Sequence, residues 1–312
     1  MEYLLLGLGF LLLFIGGHYL VKGAVEFAAH LKISTLVIGV TVVSFATSAP
    51  ELAVSLRAVI NNQPDISIGN VIGSNISNIA LVLALTAVIF PLPVNKNSII
   101  FDWPIMMATS IIFYVLILNL KIELYEGIIF VILLIGFNYL SIHYSRRRSK
   151  SEKKKVKTPE ISIIVSILFL IFSSICLVFG SKFLTNGAET IARNIGVSER
   201  VISVSLIAVG TSIPELATSL TAAFKKQMDI SVGNIIGSNI FNILGILGVS
   251  SIVKTIPVNP LTVNFDIFWM LGTSLLLFFF IIPARVGRLT RLEGIILLII
   301  YVIYIYLLYN RF

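Results

Sequence analysis

Apolar residues dominate this chain in long runs separated by short polar interruptions. Ten runs approach the ~20 residues that a helix needs to cross a bilayer. They cover residues 2–22, 34–60, 66–90, 99–119, 124–144, 161–184, 199–224, 230–253, 264–283 and 291–309. The pattern predicts an all-α polytopic membrane protein with ten transmembrane helices. The first run lacks a basic start and a small-residue cleavage site, so it reads as a structural helix and not as a leader. Four runs (34–60, 66–90, 199–224 and 230–253) carry polar residues in their middles, where lipid makes such groups costly.

Those polar residues occur in two copies. Thr47 to Glu51 reads T-S-A-P-E and Gly69 to Asn78 reads G-N-V-I-G-S-N-I-S-N. Thr211 to Glu215 reads T-S-I-P-E and Gly233 to Asn242 reads G-N-I-I-G-S-N-I-F-N. The offset is 164 residues without a gap, and 22 of 40 aligned positions are identical between 41–80 and 205–244. Glu126-Gly127 matches Glu293-Gly294 at an offset of 167, so the duplication reaches the last predicted helix. The chain therefore divides into a first five-helix repeat over 1–145, a basic linker over 146–160 and a second five-helix repeat over 161–312. An odd number of helices per repeat makes the second enter the membrane from the opposite side. Inverted repeats with interrupted helices are a transporter signature, with the site between them near the midplane.

Composition agrees with this reading. Of 312 residues, 57% are hydrophobic and 12% charged, and the mean hydropathy is +1.00. A soluble domain carries about twice that charged fraction. One cysteine and three scattered histidines exclude a disulfide framework and argue against a thiolate or imidazole metal site. The net charge of +8 reflects topology and does not point to a nucleic-acid partner. Loops after the odd-numbered helices hold 16 of the 23 lysines and arginines, eight of them between Arg146 and Lys157. The positive-inside rule puts those loops and the linker in the cytoplasm and both termini outside. The linker reads as a solvated topology anchor, with anionic headgroups as a further possible contact.

The repeated stretch carries the chemistry. Pro50 and Pro214 interrupt their helices, because proline lacks an amide hydrogen and clashes with the carbonyl four residues back. The carbonyls around Ala46 and Gly210 lose their helical partners and need others. Glu51 lies three and four residues from Ser48 and Thr47, and Glu215 stands likewise to Ser212 and Thr211. Asn70, Ser74 and Asn78 share one helix face, as do Asn234, Ser238 and Asn242. Together the copies offer two carboxylates, amides, hydroxyls and carbonyls, all hard oxygen donors suited to calcium or sodium. Two glutamates match one divalent cation, or hold monovalent ions or protons. Gly69/Gly73 and Gly233/Gly237 also form close-packing motifs. Asn75 and Asn239 fit a structural role as well as a site role. Asp65 and Asp229 read as helix caps, as do Asp102 and Asp266. Glu26 and Glu189 lie near loops and are expected to face water. An intramembrane hydrolase needs a nucleophile facing a base, and no histidine falls beside a repeated serine in the apolar runs.

The paired G/A-T-S-x-P-E and G-N-x-I-G-S-N-I-x-N motifs resemble the alpha-repeats of the calcium/cation antiporter superfamily, in its sodium/calcium exchanger branch. The resemblance covers essentially the whole chain. It implies exchange of sodium for calcium across the cell membrane by alternating access, without a cofactor and by a monomer. It implies ion ligands at Glu51, Glu215, Asn78 and Asn242. Around them it places Thr47, Ser48, Ser74, Thr211, Ser212 and Ser238, with backbone oxygens near Ser44 and Ala208. It implies that the first and sixth helices move against the other eight, and Gly23 and Gly187 stand where a joint to the next helix is compatible with that. Two positions depart from the pattern or vary within it: Ala46 stands where the second copy has Gly210, and asparagine holds position 242, where some members carry aspartate. The second points to exchange independent of potassium. The proton/calcium branch shares the fold with different motif wording and is the alternative.

Overall fold

A computed structural model describes residues 2–151, 158–196, 210–282 and 287–311. Among them the regular structure is helical apart from four two-residue strands. Helix α1 covers Glu2–Leu31, α2 Thr35–Thr47, α3 Ala49–Ile60, α4 Pro64–Ile89, α5 Ser98–Asn119 and α6 Leu124–Ser151. The second repeat contributes α7 over Ile163–Asn194, α8 over Ile213–Phe224, α9 over Met228–Val253, α10 over Thr262–Ile281 and α11 over Arg291–Arg311. Eight of these are long and apolar enough to span a membrane, and α2 and α3, bent by 47° at Ser48, are so when taken together as one broken helix. The predicted span 199–224 lies outside the described residues up to 209, and so does the linker between 152 and 157.

Helices α4 and α9 form the centre. Ile72, Ile76 and Ile79 of α4 pack with Ile236, Ile240 and Ile243 of α9, all buried, and Met106, Phe113, Ile267 and Met270 close the same core from α5 and α10. Helices α1 and α7 lie antiparallel along each other outside this centre. Their approach depends on glycine: a Cβ at Gly9 would stand 2.7 Å from the Leu184 amide nitrogen, and one at Gly180 3.0 Å from that of Leu13. Gly23 and Gly187 belong to this contact, against Ser166 and Phe169 and against Glu2 and Leu6. The expected joint at these glycines is thus corrected. Helix α1 runs straight through Gly23, because the missing side chain serves helix packing there, and the turn comes at Lys32 with φ 57°.

Strand β1 (Leu92–Pro93) pairs antiparallel with β4 (Arg288–Leu289), and β2 (Lys121–Ile122) with β3 (Ile256–Pro257). Each pair joins one strand from either repeat. Helix α5 runs from β1 to β2, so the two pairs sit at opposite ends of the bundle.

Several carboxylates differ from expectation. Helix α4 starts at Pro64 behind Gln63, and α9 starts at Met228 behind Gln227. Asp65 and Asp229 therefore sit in the first turn, where charge favours the helix dipole, and they are not the caps. Asp102 and Asp266 close π-helical turns that begin at Ser98 and Thr262, so each is inside its helix. Glu26 is buried, because its Oε2 accepts the backbone amide of Glu160 at 2.7 Å and ties the start of the second repeat to α1. Glu189 is partly exposed and pairs with Arg193 at 2.7 Å.

Candidate functional site

The break between α2 and α3 is local and follows from sequence. Pro50 occupies the first turn of α3, where a missing amide hydrogen costs nothing. Ser48 absorbs the change of direction with φ −87° and ψ 10°, and Ser212 repeats it before α8 with φ −86° and ψ 4°. Glu51 and Glu215 follow in the first turns of α3 and α8 and are fully buried. A carboxylate at a helix N-terminus faces the positive end of the dipole. The same break therefore supplies a tolerated proline, a hydroxyl and an anion pointing into the bundle.

Hydroxyls from one copy reach the other. Ser48 Oγ donates to Glu215 Oε1 at 2.9 Å, and Thr47 Oγ1 donates to Asn234 Oδ1 at 3.0 Å. Ser238 Oγ adds a longer contact to Glu215 Oε1 at 3.4 Å and stands 3.5 Å from Thr47 Oγ1. Ser74 and Thr211 hydroxyls are 3.4 Å apart. Because Ser48 is one helical turn from Glu51, both carboxylates flank one region between α3, α4, α8 and α9. Glu51 Oε1 and Oε2, Glu215 Oε2 and Ser212 Oγ are buried there without a hydrogen-bond partner.

Beside the carboxylates lies a closed amide network. Asn75 Nδ2 donates to the Asn239 carbonyl at 3.2 Å, and Asn239 Nδ2 returns a bond to the Asn75 carbonyl at 3.3 Å. Asn78 Nδ2 donates to Asn239 Oδ1 and Asn242 Nδ2 to Asn75 Oδ1, both at 3.0 Å. These bonds fix which way each amide points. They leave Asn78 Oδ1 and Asn242 Oδ1 buried, turned away from the network and without a donor. Asn75 and Asn239, open between two roles in sequence, act here as orienting groups. A π-helical turn begins at each outer residue, over Asn78–Leu83 and Asn242–Leu247. Such turns widen a helix locally and concentrate at functional sites.

The backbone oxygens divide. Ser44 O already accepts the Ser48 amide at 3.0 Å and the Thr47 hydroxyl at 3.3 Å. Ala208 lies outside the described residues. Gly210 O, deprived of a helical partner by Pro214, accepts Ser181 Oγ of α7 at 2.8 Å. Sequence reading missed Ser181, because it lies outside the repeated motif and its counterpart at the 164 offset is Gly17. The amide nitrogens of Asn70 and Asn234 donate to Ser55 Oγ (2.9 Å) and Ser219 Oγ (3.3 Å), bracing α3 to α4 and α8 to α9.

The two packing motifs fare differently. A Cβ at Gly233 would stand 2.7 Å from Leu36 O, and one at Gly237 would overlap the backbone of Val40. The close packing expected of this pair is present, against α2. Gly69 and Gly73 meet nothing within 4 Å among the described residues.

Known proteins share this architecture. The sequence profile of the family described as sodium/calcium exchanger protein matches residues 1–143 and 165–310. The chain is 33% identical to the putative antiporter CaxA of Alkalimonas amylolytica, covering 97% of each. It is 30% identical to the sodium/calcium exchanger MaX1 of Methanosarcina acetivorans, covering 99% of this chain and 98% of that one. A solved structure of the sodium-calcium exchanger NCX_Mj, soaked with zero Na+ and Ca2+, superposes with a TM-score of 0.84 at 33% identity, covering 98% of both chains.

Proposed function

The chain belongs to the sodium/calcium exchanger family of membrane transporters, and from that premise we propose that it exchanges sodium for calcium by alternating access. One observation carries the reading. Five buried acceptor oxygens without donors, on Glu51, Glu215, Asn78 and Asn242, converge from both repeats. A buried acceptor without a donor is costly, and two buried carboxylates more so. A cation relieves all of them together. Calcium takes 6–8 oxygens. The four side chains supply these five, and the hydroxyls of Thr47, Ser48, Ser74, Thr211, Ser212 and Ser238 stand around them. Ser44 and Ala208 would add backbone oxygen, from Ser44 once the Thr47 hydroxyl turns fully to Asn234.

The chemistry also accounts for coupling. With calcium, the two negative charges are neutralised, and sodium ions neutralise them in the opposite half-cycle. Empty, the site holds two carboxylates facing each other in a dry interior, and a rearrangement that carries them across is disfavoured. Each ion drives the cycle only by binding one state better than the other. The two repeats form five helices each in inverted orientation, with α1 and α7 the pair that shifts across the rest. The cross-paired strands at opposite ends and the reciprocal Asn75–Asn239 bonds support that symmetry. The charge distribution supports a cytoplasmic linker and both termini outside, and the neutral side chain at Asn242 supports exchange independent of potassium.

Calcium uptake into proteoliposomes preloaded with sodium, potassium or protons tests this. Uptake that needs internal sodium is expected. Uptake driven by protons alone would move the protein to proton/calcium exchange, and equal uptake under all three loads would make it a channel.

A further inference from the structure

Outside the ion site, a cavity of about 610 Å³ lies between α1, α7 and α8. Its walls include Phe10, Phe14, Leu184, Leu220 and Phe224, with His18 and Lys225 at one end. Phe10, Phe14 and Phe224 are 64%, 69% and 65% exposed, so the cavity opens sideways to the bilayer. Lys225 Nζ donates to the carbonyl of His18 at 2.9 Å and retains two ammonium hydrogens. Lys22 stands one helical turn beyond His18, its ammonium 5.5 Å from the Phe169 ring. Among the described residues, no carboxylate lies within ion-pair distance of Lys22 or Lys225.

We propose that this groove holds an acyl chain of an anionic glycerophospholipid, with its phosphate at Lys22 and Lys225. The apolar walls suit the chain, and two ammonium groups with no carboxylate beside them among the described residues suit the headgroup. A headgroup of zero net charge would bring its own cation against them. Burial, followed by the charge of Lys22, holds the Lys225 ammonium below the ordinary lysine range, so a phosphate there removes a repulsion as well as adding an attraction. The position has consequences for transport. On one side the groove is walled by α1 and α7, and on the other by α8, which carries Glu215. Gly17 of α1 is the crossing point, where a Cβ would stand 2.7 Å from Thr221 Oγ1. A lipid chain in the groove thus fills the space beside that crossing.

Native mass spectrometry of the full chain, purified in detergent and supplied with phosphatidylglycerol or phosphatidylcholine, tests the assignment without reading transport. One phosphatidylglycerol per chain is expected to persist in preference to phosphatidylcholine. The Lys22→Gln/Lys225→Gln double variant should weaken that retention about tenfold or more, at roughly 1 kcal/mol for each charge near an anionic headgroup. Leu220→Trp, which fills the groove and leaves both charges, should weaken it too. An Arg146→Gln/Arg147→Gln variant should retain the lipid as the parent does. Equal retention of the two lipids, unchanged retention in the double variant, or loss confined to the Arg146/Arg147 variant would each overturn the proposal.

Discussion

The two copies of the repeated motif are nearly the same sequence in two different surroundings. In the second copy, Gly233, Asn234 and Gly237 are buried against α2. In the first, Asp65, Ile66 and Gly69 are exposed and Asn70 is partly so. The hydrogen bonds follow the packing. Glu215 receives Ser48 and, at longer range, Ser238, whereas Glu51 receives neither of the equivalent hydroxyls, Ser212 and Ser74. What α2 does for the second copy by lying on it is not done for α4 by any described residue. Among the described residues the difference is that α2 lies on α9, and side-chain chemistry does not set it. One carboxylate is therefore partly satisfied by protein and the other accepts no hydrogen bond. In the alternating cycle proposed, the opposite state exchanges these roles, with Ser212 donating to Glu51.

The largest effect should come from removing either charge. Glu51→Gln and Glu215→Gln each leave one carboxylate against a divalent ion. Breaking a buried ion pair costs about 3–5 kcal/mol, so sodium-dependent calcium uptake should fall by at least about 100-fold. Uptake unchanged in either variant would remove that residue from the site. Next, Asn75→Ala frees the amide of Asn242 and Asn239→Ala that of Asn78. Loss of an orienting partner typically costs about 10–100-fold in metal affinity. Calcium titration of uptake should show that loss in both variants, and the network predicts similar sizes because its bonds are reciprocal.

The packing asymmetry predicts a smaller and one-sided effect. Gly237→Ala drives a methyl into the Val40 backbone and should destabilise the docked state by about 1–3 kcal/mol, as overpacking does. Gly73→Ala meets open space among the described residues and should be tolerated. Thermal unfolding in detergent compares the two, and equal losses would erase the distinction between the faces. The smallest effect is expected for Ser181→Ala, which removes the hydroxyl from the Gly210 carbonyl at a cost of about 0.5–1.5 kcal/mol with water in its place. Unfolding of that variant with and without calcium separates a structural loss from a site loss.

Much of this was legible in sequence because lipid penalises buried polar groups so heavily. Thr47, Ser48, Glu51, Ser74 and Asn78, with their counterparts, stood out against apolar surroundings, and the bend at Ser48 followed from Pro50. What escaped depended on partners distant in the chain. Glu26 looked solvent-facing because nothing local reveals that Glu160 will cap it. Ser181 carried no repeat signal, and Gly23 looked like a joint when its missing side chain serves the α1–α7 contact. Asp65 stood where a cap would, but Pro64 starts the helix one residue earlier. The asymmetry among the described residues was beyond sequence altogether, since similar strings cannot say that Glu215 will accept a hydroxyl where Glu51 accepts none.

The short strand pairs bear on how the protein is made. Residues 92–93 find their partners only at 288–289. A ribosome adding about 5–20 residues per second needs roughly 10–40 seconds to make the chain between them. Until then the loop after α4 has an unpaired edge, and the first repeat waits in the membrane as an unfinished piece. Neither repeat supplies its own clasp, so a truncated product ending in the linker would lack both. The bundle is locked at both ends only once residues 288–289 have been made.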